Sequence, residues 1–304
     1  MVQCLLRKGD DIWLEDPVYH GMKFVSSHMD LKICAVPVEH DGINVDFGIE
    51  RFPDAKLAYI TPSYQYPLGV TLSLKKRLQL LEWARQSDMW ILEDDYDSEF
   101  RYEGRPLASL QGLDNNGRVI YTGTFSKVLF PGLRLAYIVL PTVELVHDFK
   151  KMKGMMDRQS PILDQIILAK FIAEGHFLRH IRKMRLVYSE RRKILVKLIE
   201  ENLGDYLTIE PSSAGMNLTA WLFEKIDIEK LKKTLKKHHI IVPFINDYSI
   251  KHLIKPAINL GFTGFTRYQL KIGVQELLAC IENSLITQYP KLKIQMEICE
   301  SNHF

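Results

Sequence analysis

Two short apolar runs, each ending in a cluster of ionisable residues, constrain this chain more tightly than any other feature. Met89-Trp-Ile-Leu92 leads into Glu93-Asp-Asp-Tyr-Asp97; Val119-Ile-Tyr121 leads into Gly123-Thr-Phe-Ser-Lys127 and then Pro131-Gly-Leu-Arg134. Apolar runs this short, bounded by turn residues, read as strands buried on both faces, the pattern of a parallel sheet. In open α/β sheets, ligands bind in the crevice outside the carboxyl ends of the strands. The two clusters therefore bring carboxylates, one lysine and one arginine to the same edge, and chemistry is expected there.

The rest of the chain reads as the alternation such a sheet needs. Residues 1–9 close a helix, with Gly9 placed to cap it after Arg7 and Lys8. A strand is expected from Asp11 to Glu15, a helix from Val18 to His28, and strands over Lys32–Pro37 and Ala55–Thr61. Ser73 caps a helix with Leu74, Leu78 and Leu81 on one face. Texture changes at Pro141. Pro161 to Leu203 is helical, broken at Gly175 and stopped at Gly204. Leu207–Trp221 alternates as two strands, and Ile228–His238 is a lysine-rich helix. Ile240–Phe244 and Gln269–Val274 read as two further strands of an α+β layer. The expected division is a large domain over 1–160, an interdomain helix with a small C-terminal domain over 161–290, and a partly disordered tail over 291–304.

Composition limits what the site can serve. With 304 residues, 46% of them hydrophobic, and a formal net charge of only +3, the chain can bury a sizeable core but gives no electrostatic reason to expect a polyanionic partner. Cys4, Cys34, Cys280 and Cys299 are scattered, without zinc-ligand spacing, and read as reduced thiols. No run approaches the roughly 18 apolar residues of a membrane span, and the charges of Arg7-Lys-Gly-Asp-Asp11 come too early for a signal peptide. A cytoplasmic location is expected, with no membrane and no direct nucleic-acid contact. The basic run Arg179, Arg182, Lys183, Arg185, Arg191, Arg192 and Lys193 is interleaved with Ile181, Leu186, Ile194 and Leu195, as on the solvated face of an amphipathic helix. His176 and His180 stand one helical turn apart near Glu174 but lack a third ligand, so they read as surface histidines and no metal is expected.

Four segments stand out by their order and spacing: Glu15-Asp-Pro-Val-Tyr-His-Gly21, Thr61-Pro-Ser-Tyr-Gln-Tyr-Pro-Leu-Gly69, Glu93-Asp-Asp-Tyr-Asp-Ser-Glu-Phe100 and Thr122-Gly-Thr-Phe-Ser-Lys-Val-Leu-Phe-Pro-Gly-Leu-Arg134. Together they resemble the fold-type I, pyridoxal-phosphate-dependent aminotransferases, and within them the aminotransferase-like domain of MocR-type regulators of the GntR superfamily. The resemblance covers nearly the whole chain. It implies an α/β fold with a mostly parallel central sheet, helices on both faces and a smaller C-terminal α+β domain. It begins in the middle of the family's large domain, so an N-terminally truncated domain is expected, without the family's glycine- and serine-bearing phosphate segment or the regulators' winged helix-turn-helix.

Carried over residue by residue, the resemblance makes Lys127 the lysine that forms a Schiff base with pyridoxal 5′-phosphate and then shuttles the substrate proton. A lone lysine at a strand end is far more often a solvated one; the surrounding turn argues otherwise here. Asp94 matches the partner of the pyridine nitrogen, whose protonation lets the ring accept electrons. By spacing alone Glu93, Asp95 and Asp97 compete with it, or serve as turn and cap residues. Tyr96 matches the phenol on the cofactor's 3′-oxygen, and Tyr19 the aromatic stacked on its ring. Arg134, seven residues after Lys127, matches the phosphate ligand, with Thr124 and Ser126 adding hydroxyls. Outside the motif, these tyrosines would be core packing and these hydroxyls local caps.

Two positions differ from the wider aminotransferases. Tyr66-Pro-Leu-Gly69, preceded by Gln65, stands where most have Asn-Pro-x-Gly, and the MocR-type group shares this aromatic. For the late arginine that grips the substrate's α-carboxylate, the chain offers Lys271 or, with a shift along the expected strand, Arg267. The implied activity is transamination of an amino acid or primary amine by a homodimer. The alternatives are an effector-sensing domain of a transcriptional regulator and an inactive remnant.

Overall fold

The computed structural model describes residues 2–104, 107–159, 161–210 and 213–286. A seven-stranded sheet is built from β1 (Asp11–Asp16), β2 (Lys32–Glu39), β3 (Gly42–Ile43), β4 (Leu57–Ile60), β5 (Trp90–Asp95), β6 (Val119–Thr124) and β7 (Ala136–Val139). Its order is β3-β2-β1-β4-β5-β6-β7, parallel from β2 through β6 and antiparallel only where β3 and β7 add to the edges. Alternate residues of the parallel strands feed two separate cores. Trp13, Ala58, Ile91 and Val119 pack on one face against Leu80, Trp83 and Ala84 of the helix Leu74–Gln86. Ile12, Leu14, Leu57, Leu92 and Ile120 pack on the other against Met22 of the helix His20–His28. Burial on both faces is why these strands appear in the sequence as unbroken apolar runs.

A second sheet, antiparallel in the order β10-β9-β8, consists of β8 (Leu207–Ile209), β9 (Asn217–Leu222) and β10 (Ala257–Gly261). Its core joins Leu218 and Ile258 to Leu195 and Ile199 of the helix His176–Leu203, Leu231 of the helix Ile228–Lys237, and Leu270 and Leu277 of the helix Arg267–Glu282. Gly175, at φ 74°, separates the helices Ile162–Ala173 and His176–Leu203, as its position in the sequence implied. No helix among the described residues is long and apolar enough to cross a membrane. The tail 291–304 lies outside the described residues.

The structure corrects several expected elements. Gln269–Val274 is not a strand but part of the helix Arg267–Glu282, which starts with a capping box between Thr266 and Gln269. Leu270, Val274, Leu277 and Ile281 are buried at helical spacing, whereas a six-residue window of the same stretch also fits a period of two. Ile240–Phe244 is irregular and meets β10 through a single bridge between Phe244 and Ile258, and the third strand of the layer is β10 instead. The helix Val45–Arg51, capped by Asn44 accepting from Phe47 N, and the helix Val143–Met156 were not anticipated.

The helix Leu74–Gln86 begins at Ser73, whose Oγ accepts from the Lys76 N–H, but it faces a different way from the leucine pattern. Leu74 and Leu78 are about half exposed, while Arg77, Leu80, Leu81, Trp83 and Ala84 are buried. Arg77 explains the rotation. Its guanidinium donates to the carbonyls of Leu72 (3.0 Å), Ala108 (3.0 Å) and Pro62 (2.8 Å), so each of its three nitrogens has a partner inside the protein and the segment after β4 is tied to the one before Ser109. Leu80→Ala should therefore cost about 2–5 kcal/mol of unfolding free energy. Leu78→Ala should change it by no more than about 0.5 kcal/mol. Urea denaturation of the two variants checks the assigned face, and equal losses would contradict it.

Candidate active site

β1 pairs with β2 on one side and with β4 on the other, so the winding of the sheet reverses between β1 and β4. Open sheets bind ligands at the carboxyl ends of the strands beside such a switch point. Here a cavity of about 440 Å³ opens there, within the roughly 300–1,000 Å³ usual for small-molecule sites. Tyr19 enters it from the segment after β1, Tyr59 and Thr61 from the end of β4, and Asp94 and Tyr96 from the end of β5. Thr124 and Lys127 enter from the end of β6, Tyr66 from the turn after β4, and Met216, Asn217 and Thr263 from the side of the second sheet.

Strand alternation sorts the neighbouring carboxylates of β5. Glu93 is buried and accepts from the backbone N–H groups of Leu110 (3.0 Å) and Gln111 (2.9 Å), which start the short helix Leu110–Leu113. Asp95 accepts from the Tyr121 hydroxyl (2.7 Å) and Ser98 N (3.2 Å). Asp97 is buried, and neither of its oxygens has a hydrogen-bond partner among the described residues. Asp94 alone of the four lines the cavity. Its Oδ2 accepts from the Tyr59 hydroxyl at 2.6 Å and its Oδ1 from Thr122 Oγ1 at 3.4 Å. Burial raises the pKa of Asp94, and the two hydroxyl donors oppose that rise. A carboxylate in this position gains from any cation or N–H donor brought into the cavity.

Thr124 ends β6 and accepts from Ser126 N (3.1 Å), starting the four-residue helix Phe125–Val128 that puts Lys127 on the cavity wall. The lysine is exposed in the isolated chain. Gly123 allows a close approach here, because a Cβ would push against the far end of the Tyr137 ring and require it to shift. Arg134 sits at φ 50° in the left-handed region, a conformation that costs a non-glycine residue about 1–2 kcal/mol and recurs at ligand clamps. It is exposed and does not line the cavity, nor does the buried Ser126. Of the three residues expected on a phosphate, only Thr124 reaches the wall.

The remaining wall is phenolic. The ring of Tyr66 meets those of Tyr19 (6.2 Å between centroids), Tyr96 (6.1 Å) and Tyr248 (5.4 Å) edge-on, and its hydroxyl lies 3.1 Å from that of Tyr248. The Tyr96 hydroxyl donates to the Tyr64 carbonyl at 3.0 Å. Gln65 is buried and supports this wall from behind. Its Nε2 donates to the Pro17 carbonyl (2.9 Å), and its Oε1 accepts from Leu68 N (3.0 Å). Glu15, also buried, accepts from Thr61 N (3.1 Å) and Thr61 Oγ1 (2.5 Å), and burial pushes its pKa up to about 7. Sequence reasoning missed Tyr59, Thr61, Met216, Asn217 and Thr263 as wall residues. For Tyr59 a signal existed: a phenol inside Leu57-Ala-Tyr-Ile60 must find a polar partner if that strand is buried.

Arg267 and Lys271, expected to grip a substrate carboxylate, do not line this cavity. Both lie on the helix Arg267–Glu282 and line a separate groove with Lys197, Leu198 and Glu201. They were misplaced because that helix was read as a strand. Nor is the basic run a plain solvated face. Arg192 is buried against Glu103 (3.6 Å), Arg191 donates to the Thr263 carbonyl, and Arg185 donates to the Glu99 carbonyl (2.8 Å). His180 is half-buried, its Nε2 3.0 Å from the Val128 carbonyl beside Lys127, rather than a free surface histidine.

A family model describing aminotransferases of class I and II matches residues 1–275. The chain belongs to the class I and II aminotransferase family. It is 37% identical over 277 residues to a probable rhizopine catabolism regulatory protein, MocR, of Rhizobium meliloti, covering 91% of this chain and 56% of that protein. The chain thus spans little more than half the length of that relative. Within the same family, an aromatic-amino-acid aminotransferase of Thermococcus litoralis is 30% identical over 291 residues, covering 93% of this chain and 69% of that protein. The kynurenine aminotransferase of Pyrococcus horikoshii, crystallised in complex with PMP, superposes with a TM-score of 0.84 at 26% identity, covering 92% of this chain and 71% of that one.

Glu15 makes the wall of this cavity pH-dependent. Its pKa rises from 4.5 to about 7 on folding, so the folded state favours the neutral carboxyl. The associated stability is fully present below about pH 4.5 and is lost as pH rises through about 7. The gap is worth roughly 3 kcal/mol. Glu15→Gln, neutral at every pH, should gain on the parent by up to that amount between pH 4.5 and 7.5, measured by urea denaturation. A difference independent of pH would contradict the assignment.

Proposed function

We propose that this chain is a pyridoxal 5′-phosphate-binding domain that transaminates an amino acid or primary amine, with Lys127 as the covalent anchor and proton carrier. One observation carries the reading: a half-buried carboxylate, Asp94, and an amine, Lys127, line one cavity at the sheet's switch point. The kynurenine aminotransferase, similar in fold, was crystallised with PMP, which supports the same cofactor class here. The residues fit it. Asp94, braced by Tyr59, is the natural partner for a protonated ring nitrogen, Tyr19 offers a ring face, and Thr124 offers a hydroxyl to the phosphate. Arg134 and Ser126, on the turn around Lys127, are proposed to complete the phosphate contacts.

When bound, the cofactor supplies the sink for electrons released at the substrate carbon. The chain does the rest. Displaced from the cofactor by the incoming amine, Lys127 would be free to carry the proton released at that carbon. Asp94 holds the positive charge in place, and the tyrosines around Tyr66 exclude water. We assign residues 1–160 to a large cofactor-binding domain and 161–290 to the interdomain helix and small domain, in line with the separate cores of the two sheets. A homodimer fits the apolar side chains left exposed on the helix Ile162–Ala173, among them Leu163 and Ile166. A cytoplasmic location fits the free thiols Cys4, Cys34 and Cys280. Identity to a regulator keeps a sensor role in view, with the same site binding a ligand without releasing product.

Protein titrated with pyridoxal 5′-phosphate should gain a visible absorbance band that Lys127→Ala abolishes. Borohydride reduction followed by peptide mapping should place the cofactor on Lys127. Attachment to another lysine, or an unchanged band in the variant, would contradict the proposal.

A further inference from the structure

The cavity's charge content identifies the kind of amine it suits. Among its described lining residues Lys127 is the one cation and Asp94 the one acid. Once Lys127 is committed to the cofactor, as the proposed function requires, no described wall residue is left to neutralise a carboxylate on the incoming ligand. A carboxylate taken from water into such a wall loses its hydration without a charged partner.

The polar side chains that the second sheet presents nearby, Asn217, Thr219 and Asn259, are neutral, and the last two are already engaged. Asn259 of β10 stands opposite Thr219 of β9 in the ladder, and both are buried. The Asn259 amide donates to the Pro67 carbonyl (3.2 Å) and the Thr219 hydroxyl to the Leu68 carbonyl (2.9 Å). This pair holds the turn that carries Tyr66 and leaves no charge facing the ligand. Arg191 approaches from behind the wall but donates to the backbone carbonyl of Thr263. What faces the ligand instead is aromatic surface, Tyr19, Tyr59, Tyr66 and Tyr96, with Met216. Such surface packs a ring or hydrocarbon chain and attracts an ammonium through the ring quadrupole.

We infer that the cavity selects a primary amine without an α-carboxylate, carrying an aromatic or apolar body, over the corresponding α-amino acid. The inference rests on the proposed function and goes beyond it. A matched pair tests it: tyramine and L-tyrosine, which differ only in the carboxylate, titrated into the cofactor-loaded protein. The shift of the visible band and calorimetry give the two affinities. Tyramine should bind at least about tenfold more tightly. Equal or tighter binding of L-tyrosine would overturn the inference while leaving the cofactor reading intact. A protein that forms no band with pyridoxal 5′-phosphate would instead defeat the proposed function, and the inference with it. Arg191→Ala supplies a second check: the ratio of the two affinities should not change. A loss confined to L-tyrosine would identify Arg191 as a carboxylate ligand and overturn the inference.

Discussion

The hydrogen bond from the Tyr59 hydroxyl to Asp94, 2.6 Å long, is the contact on which the rest of the site depends. It joins adjacent parallel strands, β4 and β5, across the interior of the sheet. Tyr59 is buried and Asp94 half-buried, and each supplies the hydrogen-bond partner that offsets the other's loss of water. Paired, they leave a carboxylate held in one orientation at the mouth of the crevice. Glu93 and Asp95, its neighbours in sequence, are bonded instead to the start of the helix Leu110–Leu113 and to Tyr121 of β6, so the strand's pleat reserves a single acid for the cavity. Electrostatic character at the site is thus a consequence of register, set by apolar packing on both faces of the sheet.

The second sheet completes the cavity through backbone contacts more than through charge pairs. Asp16, at the end of β1, accepts from the N–H groups of Ile250 (2.7 Å), Lys251 (2.9 Å) and His252 (2.8 Å). That clamp holds the segment carrying Tyr248, whose ring packs edge-on against Tyr66. On the other side of the same turn, Asn259 and Thr219 take the Pro67 and Leu68 carbonyls. The turn Tyr66-Pro-Leu-Gly69 is therefore gripped from both ends, and Tyr66 becomes the fixed centre of the phenolic wall. Because these are charge-assisted or buried hydrogen bonds, each resists loosening more than a surface contact would.

Much of this was legible in the sequence because short, doubly buried strands leave few alternatives. The runs ending at Leu92 and Tyr121 imply adjacent parallel strands, and the residues that follow each run, Asp94, Tyr96, Thr124 and Lys127, do meet in one cavity. Residues whose placement depends on long-range geometry were harder to read. Arg267 and Lys271 were misplaced because their short window fits two periods, and the capping box that makes it a helix lies at Thr266, just before the window. Leu74 and Leu78 suggested the wrong face because the buried arginine that turns the helix, Arg77, is matched by three backbone carbonyls invisible to sequence patterns. Met216, Asn217 and Thr263 join the wall only through docking of the second sheet, and no local signal marks them.

We propose that Asp94 serves as the charged partner of a cofactor ring nitrogen. Nitrogen-15 NMR of the protein loaded with ring-labelled pyridoxal 5′-phosphate tests it directly. The ring nitrogen should be protonated at neutral pH in the parent protein and unprotonated in Asp94→Ala. A nitrogen unprotonated in the parent, or equally protonated in both proteins, would contradict it.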